Sequence, residues 1–183
     1  MTRARTIAAC VVLLATTSVH AQQPPNYMGR VGGVTREVCV TPTVSTGAYT
    51  AGNVVGGLIT LPSAFLSTNS GILQAVRLTF KSAQTAEFDV TFFSALPTGV
   101  PATEFGDKAA PAIVAADVLL AQPPIKLTNN YSGLGTHTVY GADAISRPVN
   151  EVGASAYAVI TTPGTPTFAS ASDLQLCAAW LED

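Results

Sequence analysis

The sequence contains few charged residues and almost no histidine. Charged residues make up 11% of the 183 positions, with nine basic side chains against eleven acidic ones. A nucleic-acid-binding protein needs a basic face that neutralises phosphates, so this composition argues against that class of partner. Of the two histidines, His20 lies in an N-terminal apolar segment and His137 lies in "LGTHTVYG". The chain therefore offers few side chains that could transfer a proton at neutral pH.

Sequence motifs of catalysis and metal binding are missing as well. No serine lies in a G-x-S-x-G elbow, and the nearest match is "GASAY" at 153–157. There is no C-x-x-C, H-x-x-x-H or EF-hand spacing. Threonines flank His137, a setting more typical of a surface or half-buried strand residue than of a catalytic base. We expect a protein that is not an enzyme and that needs no cofactor.

Four acidic residues remain as candidates for a site. Glu87 and Asp89 are two positions apart in an alternating pattern, which places both carboxylates on one face of a strand. Paired carboxylates can hydrolyse glycosides, but this position is also usual for solvated charge, which is the interpretation we favour. Asp107 and Asp143 lie in predicted loops, where they could bind calcium together with backbone carbonyls. That alternative stays open.

The N-terminal segment has the features of a signal peptide. Two arginines precede an uncharged run rich in Ala, Val and Leu over 7–19, and residues acceptable to signal peptidase follow. This arrangement predicts cleavage between Ala21 and Gln22. The run is shorter than the roughly 20 residues that span a membrane, so stable membrane insertion is not expected. The alternative is a true start at Met28, with the upstream residues untranslated.

Two cysteines remain after such a cleavage. The mature chain would consist of a flexible leader over 22–33 and one domain over 34–183, with a net charge of −4. Cys39 and Cys177 lie near the two ends of that domain. In an oxidising compartment a bridge between them would contribute about 4–5 kcal/mol in the chain-entropy model. Two buried, reduced thiols are the alternative, which a start at Met28 would favour.

Alternation of apolar and polar residues with a period of two is the main structural signal. The run 71–82 alternates, with Gln74 as the one polar residue on the inward face, and the run 85–94 alternates throughout. The polar loop "SAQT" between them predicts that the two strands form a hairpin. The inward residues expected of these strands are Ile72, Val76, Leu78, Phe80, Ala86, Phe88, Val90 and Phe92.

Six further runs have the composition of strands, and segments rich in turn formers separate them. Segment 107–122 is rich in Ala and lacks alternation, so we expect a short helix there, in a crossover loop, with Pro111 near its start. The pattern predicts an all-β fold, a single antiparallel β-sandwich of jelly-roll-like type. The six runs are 35–41, 53–61, 124–128, 136–141, 155–162 and 174–181.

Certain glycines and tyrosines carry more specific expectations. Gly56 and Gly57 interrupt an otherwise regular strand without a G-x-G-x-x-G context, which predicts a β-bulge instead of a phosphate-binding loop. Tyr49, Tyr131 and Tyr140 lie in or near predicted loops and are candidates for contact with a partner. The strand phenylalanines are assigned to the core.

Four segments follow one another in a recognisable order. They are "VTPTVSTGAYTAGNVVGGLITLP", "SGILQAVRLTFKSAQTAEFDVTFFSALPTG", "TEFGDKAAPAIVAADVLL" and "TPTFASASDLQL", which together extend over about 40–176. This order resembles a recurrent family of tailed-phage virion proteins. The resemblance implies a compact jelly-roll-like sandwich that serves as a capsid decoration or other accessory component, with no catalytic residues to transfer. The signal peptide and the two cysteines depart from that pattern.

We therefore expect a non-enzymatic structural or interaction protein, an accessory or decoration-type virion component. Its expected partners are proteins, through self-association or through assembly on a virion or other surface. The alternative is a secreted module that binds a glycan or a cell-surface partner. The signal peptide predicts a secreted or periplasmic location, whereas a start at Met28 predicts a virion location.

Overall fold

A computed structural model describes residues 33–65, 70–98, 108–109, 121–128, 131–134, 136–150 and 153–182. The predicted signal peptide, its cleavage site at Ala21 and Gln22, nearly all of the leader and Asp107 lie outside these residues. Within them the chain forms strands and no helix. The strands are β1 (Val34–Val40), β2 (Asn53–Leu61), β3 (Ser70–Phe80), β4 (Phe88–Phe93), β5 (Lys108–Ala109), β6 (Ile125–Leu127), β7 (Tyr131–Leu134), β8 (His137–Ala142), β9 (Arg147–Asn150), β10 (Ala156–Thr161) and β11 (Leu174–Glu182).

The strands form two antiparallel sheets that pack face to face. The first sheet has the order β1-β11-β3-β8-β7, with β9 also paired to β3, and the second has the order β5-β2-β10-β4-β6. Four pairings are nested along the chain, namely β1 with β11, β2 with β10, β3 with β8 and β4 with β6. The chain is therefore one long antiparallel hairpin wrapped into two layers, which is a jelly roll. The predicted all-β sandwich is confirmed.

The predicted hairpin between 71–82 and 85–94 is wrong. These runs become β3 and β4, which belong to different sheets, and the segment between them crosses from one sheet to the other. The rings of Phe80 and Phe88 stack across the interior with their centroids 4.8 Å apart. Alternation identified the inward face of each strand. It does not distinguish two strands that are neighbours in one sheet from two strands that face each other across the core, because both arrangements bury the same apolar side chains.

Two bulges adjust the alternation. In the pairing of β2 with β10, Val55 and Leu58 oppose successive residues, so Gly56 and Gly57 form the predicted bulge, with φ angles of 77° and 70°. In the pairing of β3 with β11, Gln74 is the extra residue. The set of residues that faces the core changes at Gln74, because one extra residue in a strand moves the following side chains to the opposite face of the sheet.

The second bulge corrects one core assignment. Ile72, which alternation places in the interior, is 40% exposed, and Leu73 is fully buried in its place. The backbone carbonyl of Gln74 accepts a hydrogen bond from the N–H of Ile145. Gln74 therefore marks the point where β3 changes face, and it is not a polar residue forced into the core.

The helix predicted over 107–122 is not supported where that segment is described. Lys108 and Ala109 form β5, which pairs with the start of β2, and Ala121 forms a β-bridge with Phe93. The rest of the segment, including Pro111, lies outside the described residues. Alanine content favoured helix in the sequence, but at these positions the edges of the second sheet offer extended backbone partners.

The core lies between the two sheets and is rich in aromatic rings. Phe80 contacts Phe88, Tyr140 and Phe168, and Trp180 contacts Phe65 and Phe92. Such ring pairs add roughly 0.5–1.5 kcal/mol each beyond the burial of their area. A smaller apolar cluster, on strands of the second sheet, consists of Val54, Leu58, Phe93 and Val159.

Candidate functional site

A disulfide joins the first and last strands of the domain. Cys39 in β1 and Cys177 in β11 are direct partners in the antiparallel register, their Cα atoms are 4.0 Å apart, and their sulfurs are bonded. The predicted bridge is confirmed. It spans 138 residues of sequence, so it links both ends of the folded domain through a single covalent bond.

The two cysteines differ in exposure. Cys39 is exposed, whereas Cys177 is only 1% exposed. Leu176 and Ala178, on either side of Cys177, belong to the core between the sheets. Because successive strand residues point to opposite faces, Cys177 points to the outer face of the first sheet. Its burial therefore arises on that outer face.

An ion pair crosses the same outer face. Arg77 Nη2 in β3 lies 2.8 Å from Glu37 Oε1 in β1, so the pair reaches over β11, which lies between these strands. Arg77 is the register partner of Cys177, and Glu37 is the register partner of Ala179. Both charged side chains are about half exposed, so the pair contributes roughly 0–1 kcal/mol to stability. Its position places it beside Cys177.

The bridge and the ion pair also bring metal-ligand atom types together. A carboxylate oxygen of Glu37 and the sulfurs of Cys39 and Cys177 lie within 4.8 Å of one another. The sulfurs are bonded to each other, and a thiolate is the form of cysteine that binds metals. In the oxidised state this group is therefore a covalent crosslink. Asp143, the calcium candidate that the structure describes, is exposed in the loop after β8.

A buried carboxylate joins two loops that connect the sheets at the start of β11. Asp173, just before β11, is 1% exposed and accepts hydrogen bonds from the backbone N–H of Ser82 at 2.8 Å and of Ala169 at 2.7 Å. The Ser82 hydroxyl also donates to it. Asp173 thereby ties the loop between β3 and β4 to the loop between β10 and β11. Asp173 is not among the residues predicted from the sequence, where its only signal is its place in the turn segment "ASASD".

Gln84 extends this polar network into the β3–β4 loop. Its backbone N–H donates to the Thr138 hydroxyl at 2.9 Å, and its side-chain amide donates to the Thr167 carbonyl at 2.8 Å. The carbonyl of Gln84 accepts a bond of 3.0 Å from the Tyr140 hydroxyl. Two loops and strand β8 are thus held together by buried polar groups that satisfy one another.

Two groups in this region have perturbed proton affinities. Burial alone would raise the pKa of Asp173, but hydrogen bonds from the Ser82 hydroxyl and from the backbone N–H groups of Ala169, Ser82 and Lys81 outweigh it and lower that pKa below 3.8. Burial, followed by the negative charge of Glu87, raises the pKa of Tyr140 above 10. Asp173 is therefore a carboxylate, and Tyr140 a neutral hydroxyl, at neutral pH.

Two of the three candidate contact tyrosines are core residues. Tyr49 is 1% exposed and its hydroxyl accepts from the N–H of Ser45 at 2.8 Å, while Tyr140 is fully buried. The expectation that they contact a partner is wrong, because each phenol ring is buried and its hydroxyl is bonded within the domain. The backbone of Tyr131 lies in β7.

The other candidates differ in exposure. Glu87 and His137 are exposed, and Asp89 is half-buried in β4. Asp89 pairs in register with Lys126 of β6 and with Thr161 of β10. Glu87 lies at the loop end, one residue before β4 begins, consistent with the solvated position expected for it.

No helix in the part of the chain that the structure describes is long and apolar enough to cross a membrane. Comparison with family models gives no match. Comparison with curated proteins gives no match either.

Proposed function

We propose that this protein is a non-enzymatic structural or interaction protein, an accessory component of decoration type on a virion. The nested strand order is the observation that carries the proposal, since two-layer jelly rolls are a recurrent architecture of viral capsid and lectin domains. One fold hosts many functions, so the assignment to a virion also rests on the sequence resemblance over about 40–176.

The distribution of polar groups supports a structural role. Asp173, the carboxylate whose pKa is lowered, has its oxygens occupied by donors from two loops. Tyr140 and Gln84 are likewise engaged with each other. These buried groups hold loops in fixed conformations, which is what a module needs to present a constant surface to its neighbours.

Fractionation of the native source tests this proposal. Particles are purified on a density gradient, and the chain is quantified by mass spectrometry in the particle peak and in the particle-free fractions. A decoration protein is expected to follow the particles at a constant ratio to the main shell protein and to be removed only by denaturing conditions. Recovery of the chain entirely in particle-free fractions would exclude the virion role.

A secreted binding module is the second candidate, and the bridge between Cys39 and Cys177 favours it specifically. Disulfides persist in secreted and periplasmic proteins and are rare in the cytosol. Its test is an intact mass under non-reducing conditions together with the N-terminal residue. A chain that begins at Gln22, carries the bridge and binds saturably on a glycan array would favour this candidate. A chain that begins at Met28 with free thiols would exclude it.

A further inference from the structure

The two sulfurs of the bridge have different surroundings. Cys39 is exposed and lies in β1, the edge strand of its sheet, and no described strand pairs with the outer side of β1. Cys177 is 1% exposed and lies in β11, between β1 and β3. The ion pair between Glu37 and Arg77 crosses β11 beside it. One cysteine is therefore exposed on the edge strand and the other is buried on the inner strand.

This difference bears directly on how a thiol can reach the bond. In thiol–disulfide exchange a thiolate attacks one sulfur and the other leaves, and both access and the leaving group affect the rate. The attacking thiolate approaches from the side opposite the leaving sulfur. Attack at Cys39 thus comes across the open edge of the sheet. Attack at Cys177 would come from the side of β3, where its register partner Arg77 lies.

We infer that Cys39 is a thiol–disulfide exchange site that reacts with low-molecular-weight thiols while the domain stays folded. The incoming thiolate forms a bond to the Cys39 sulfur as the bond between the two cysteines breaks. The electron pair of the broken bond leaves with the Cys177 sulfur as a thiolate, on the strand next to Arg77. The product is a mixed disulfide on Cys39 and a free thiolate at Cys177, and a second thiol molecule completes the reduction.

This chemistry gives the domain a modification site beyond its proposed structural role. The core residues next to the bridge, Leu176 and Ala178, point away from it into the interior. Opening the bond therefore exposes no core side chain. The first and last strands also remain paired through the seven register positions of β1 and β11. A small thiol can consequently switch the crosslink between the two ends of the domain without displacing a strand.

Two variants of the chain that begins at Gln22, which lacks Cys10, each keep one cysteine and form a matched test. Cys177→Ser leaves a thiol at position 39, Cys39→Ser leaves one at position 177, and both lack the bridge. Each is reacted with 5,5′-dithiobis(2-nitrobenzoate) under native conditions, up to the pH at which the rate no longer rises, so that thiolate fractions are equal. We expect the thiol at 39 to react at least about tenfold faster, because the buried thiol needs local opening. Equal rates, or faster reaction at 177, would overturn the inference.

A second substitution tests whether Arg77 shields Cys177 from reagents, as distinct from an effect on the stability of the whole domain. Adding Arg77→Ala to the Cys39→Ser variant should raise the rate at Cys177 severalfold. Adding it to the Cys177→Ser variant should change the rate at Cys39 less, although the Glu37 carboxylate lies near both sulfurs. An unaltered rate at Cys177 would show that the ion pair does not shield it.

A labelling experiment on the unsubstituted protein does not require that the variants fold. It is treated briefly with reduced glutathione, quenched with acid and alkylated with N-ethylmaleimide, and its peptides are mapped. Glutathione on Cys39 with maleimide on Cys177 is the expected pattern. The reverse pattern, or reaction only after denaturant is added, contradicts the inference.

Discussion

Replacing Asp173 should destabilise the domain more than any other single carboxylate substitution in its described part. Asp173→Ala removes the acceptor of two backbone N–H groups, those of Ser82 and Ala169, and of the Ser82 hydroxyl. A donor left without a partner in a buried place costs about 1–3 kcal/mol. With two backbone donors affected and both bonds partly buried, we expect the free energy of unfolding to fall by about 2–4 kcal/mol. Asp173→Asn, which keeps one carbonyl oxygen, should lose about half as much.

The same residue predicts a pH dependence with a defined sign. Folding lowers the pKa of Asp173 below its ordinary value, which is about 3.9 in an unfolded chain. The stabilisation by the carboxylate is therefore complete above about pH 4 and is lost as the pH falls through the folded pKa. The difference in stability between the unsubstituted protein and Asp173→Asn should be constant near neutrality and should shrink below pH 4.

Urea unfolding under non-reducing conditions, from pH 7 to pH 3, measures both effects. Asp143→Ala, at an exposed loop position, is the control and should change stability by no more than about 0.5 kcal/mol. The reasoning would be refuted if Asp173→Ala were as stable as Asp143→Ala. It would also be refuted if the gap between Asp173→Asn and the unsubstituted protein did not narrow in acid.

Three further predictions concern the bridge and the bulges. In urea unfolding, the free energy of unfolding of the double variant Cys39→Ser/Cys177→Ser should fall by about 5 kcal/mol, because the unfolded chain is no longer restricted by a loop spanning 138 residues. A decrease below about 1 kcal/mol would contradict the chain-entropy model. Gly56→Ala should cost at least about 1 kcal/mol in thermal unfolding, because its φ is +77° and a Cβ would lie 3.1 Å from Pro42 Cβ. The control Gly153→Ala meets open space, and an equal cost there would refute the argument. Leu73→Ala should lower the free energy of unfolding by about 2–5 kcal/mol, whereas Ile72→Ala should lower it by less than about 1 kcal/mol, because Leu73 is buried and Ile72 is exposed. The reverse order would show that the bulge lies elsewhere in β3.

Alternation in the sequence was sufficient to locate the main strands and most of the core. The runs that became β3 and β4 show where such reasoning ends, since their inward faces were predicted correctly, apart from Ile72, and their partners were not. A short polar loop suits a hairpin and an inter-sheet crossing equally well. The choice between them depends on distant strands, because β11 pairs with β3 and β10 pairs with β4. Those pairings involve residues far away in the chain.

The candidate site was predictable only in part. Only two cysteines remain after the predicted cleavage, so Cys39 and Cys177 could form only one disulfide, and the structure contains that disulfide. The different exposure of Cys39 and Cys177 depends on which strand lies at the edge, which the sequence does not encode locally. Asp173 was missed for a similar reason, because its donors at Ser82 are brought to it by the folding of separate loops.

The most direct test of the account is the non-reducing intact mass of the chain recovered from gradient-purified particles, with its abundance relative to the main shell protein. The account predicts a constant ratio across the particle peak and a mass two hydrogens below that of the reduced chain, from the bond between Cys39 and Cys177. A chain found only outside the particles would contradict the proposed function. A chain found in them with both thiols free would instead contradict the disulfide as part of its native state.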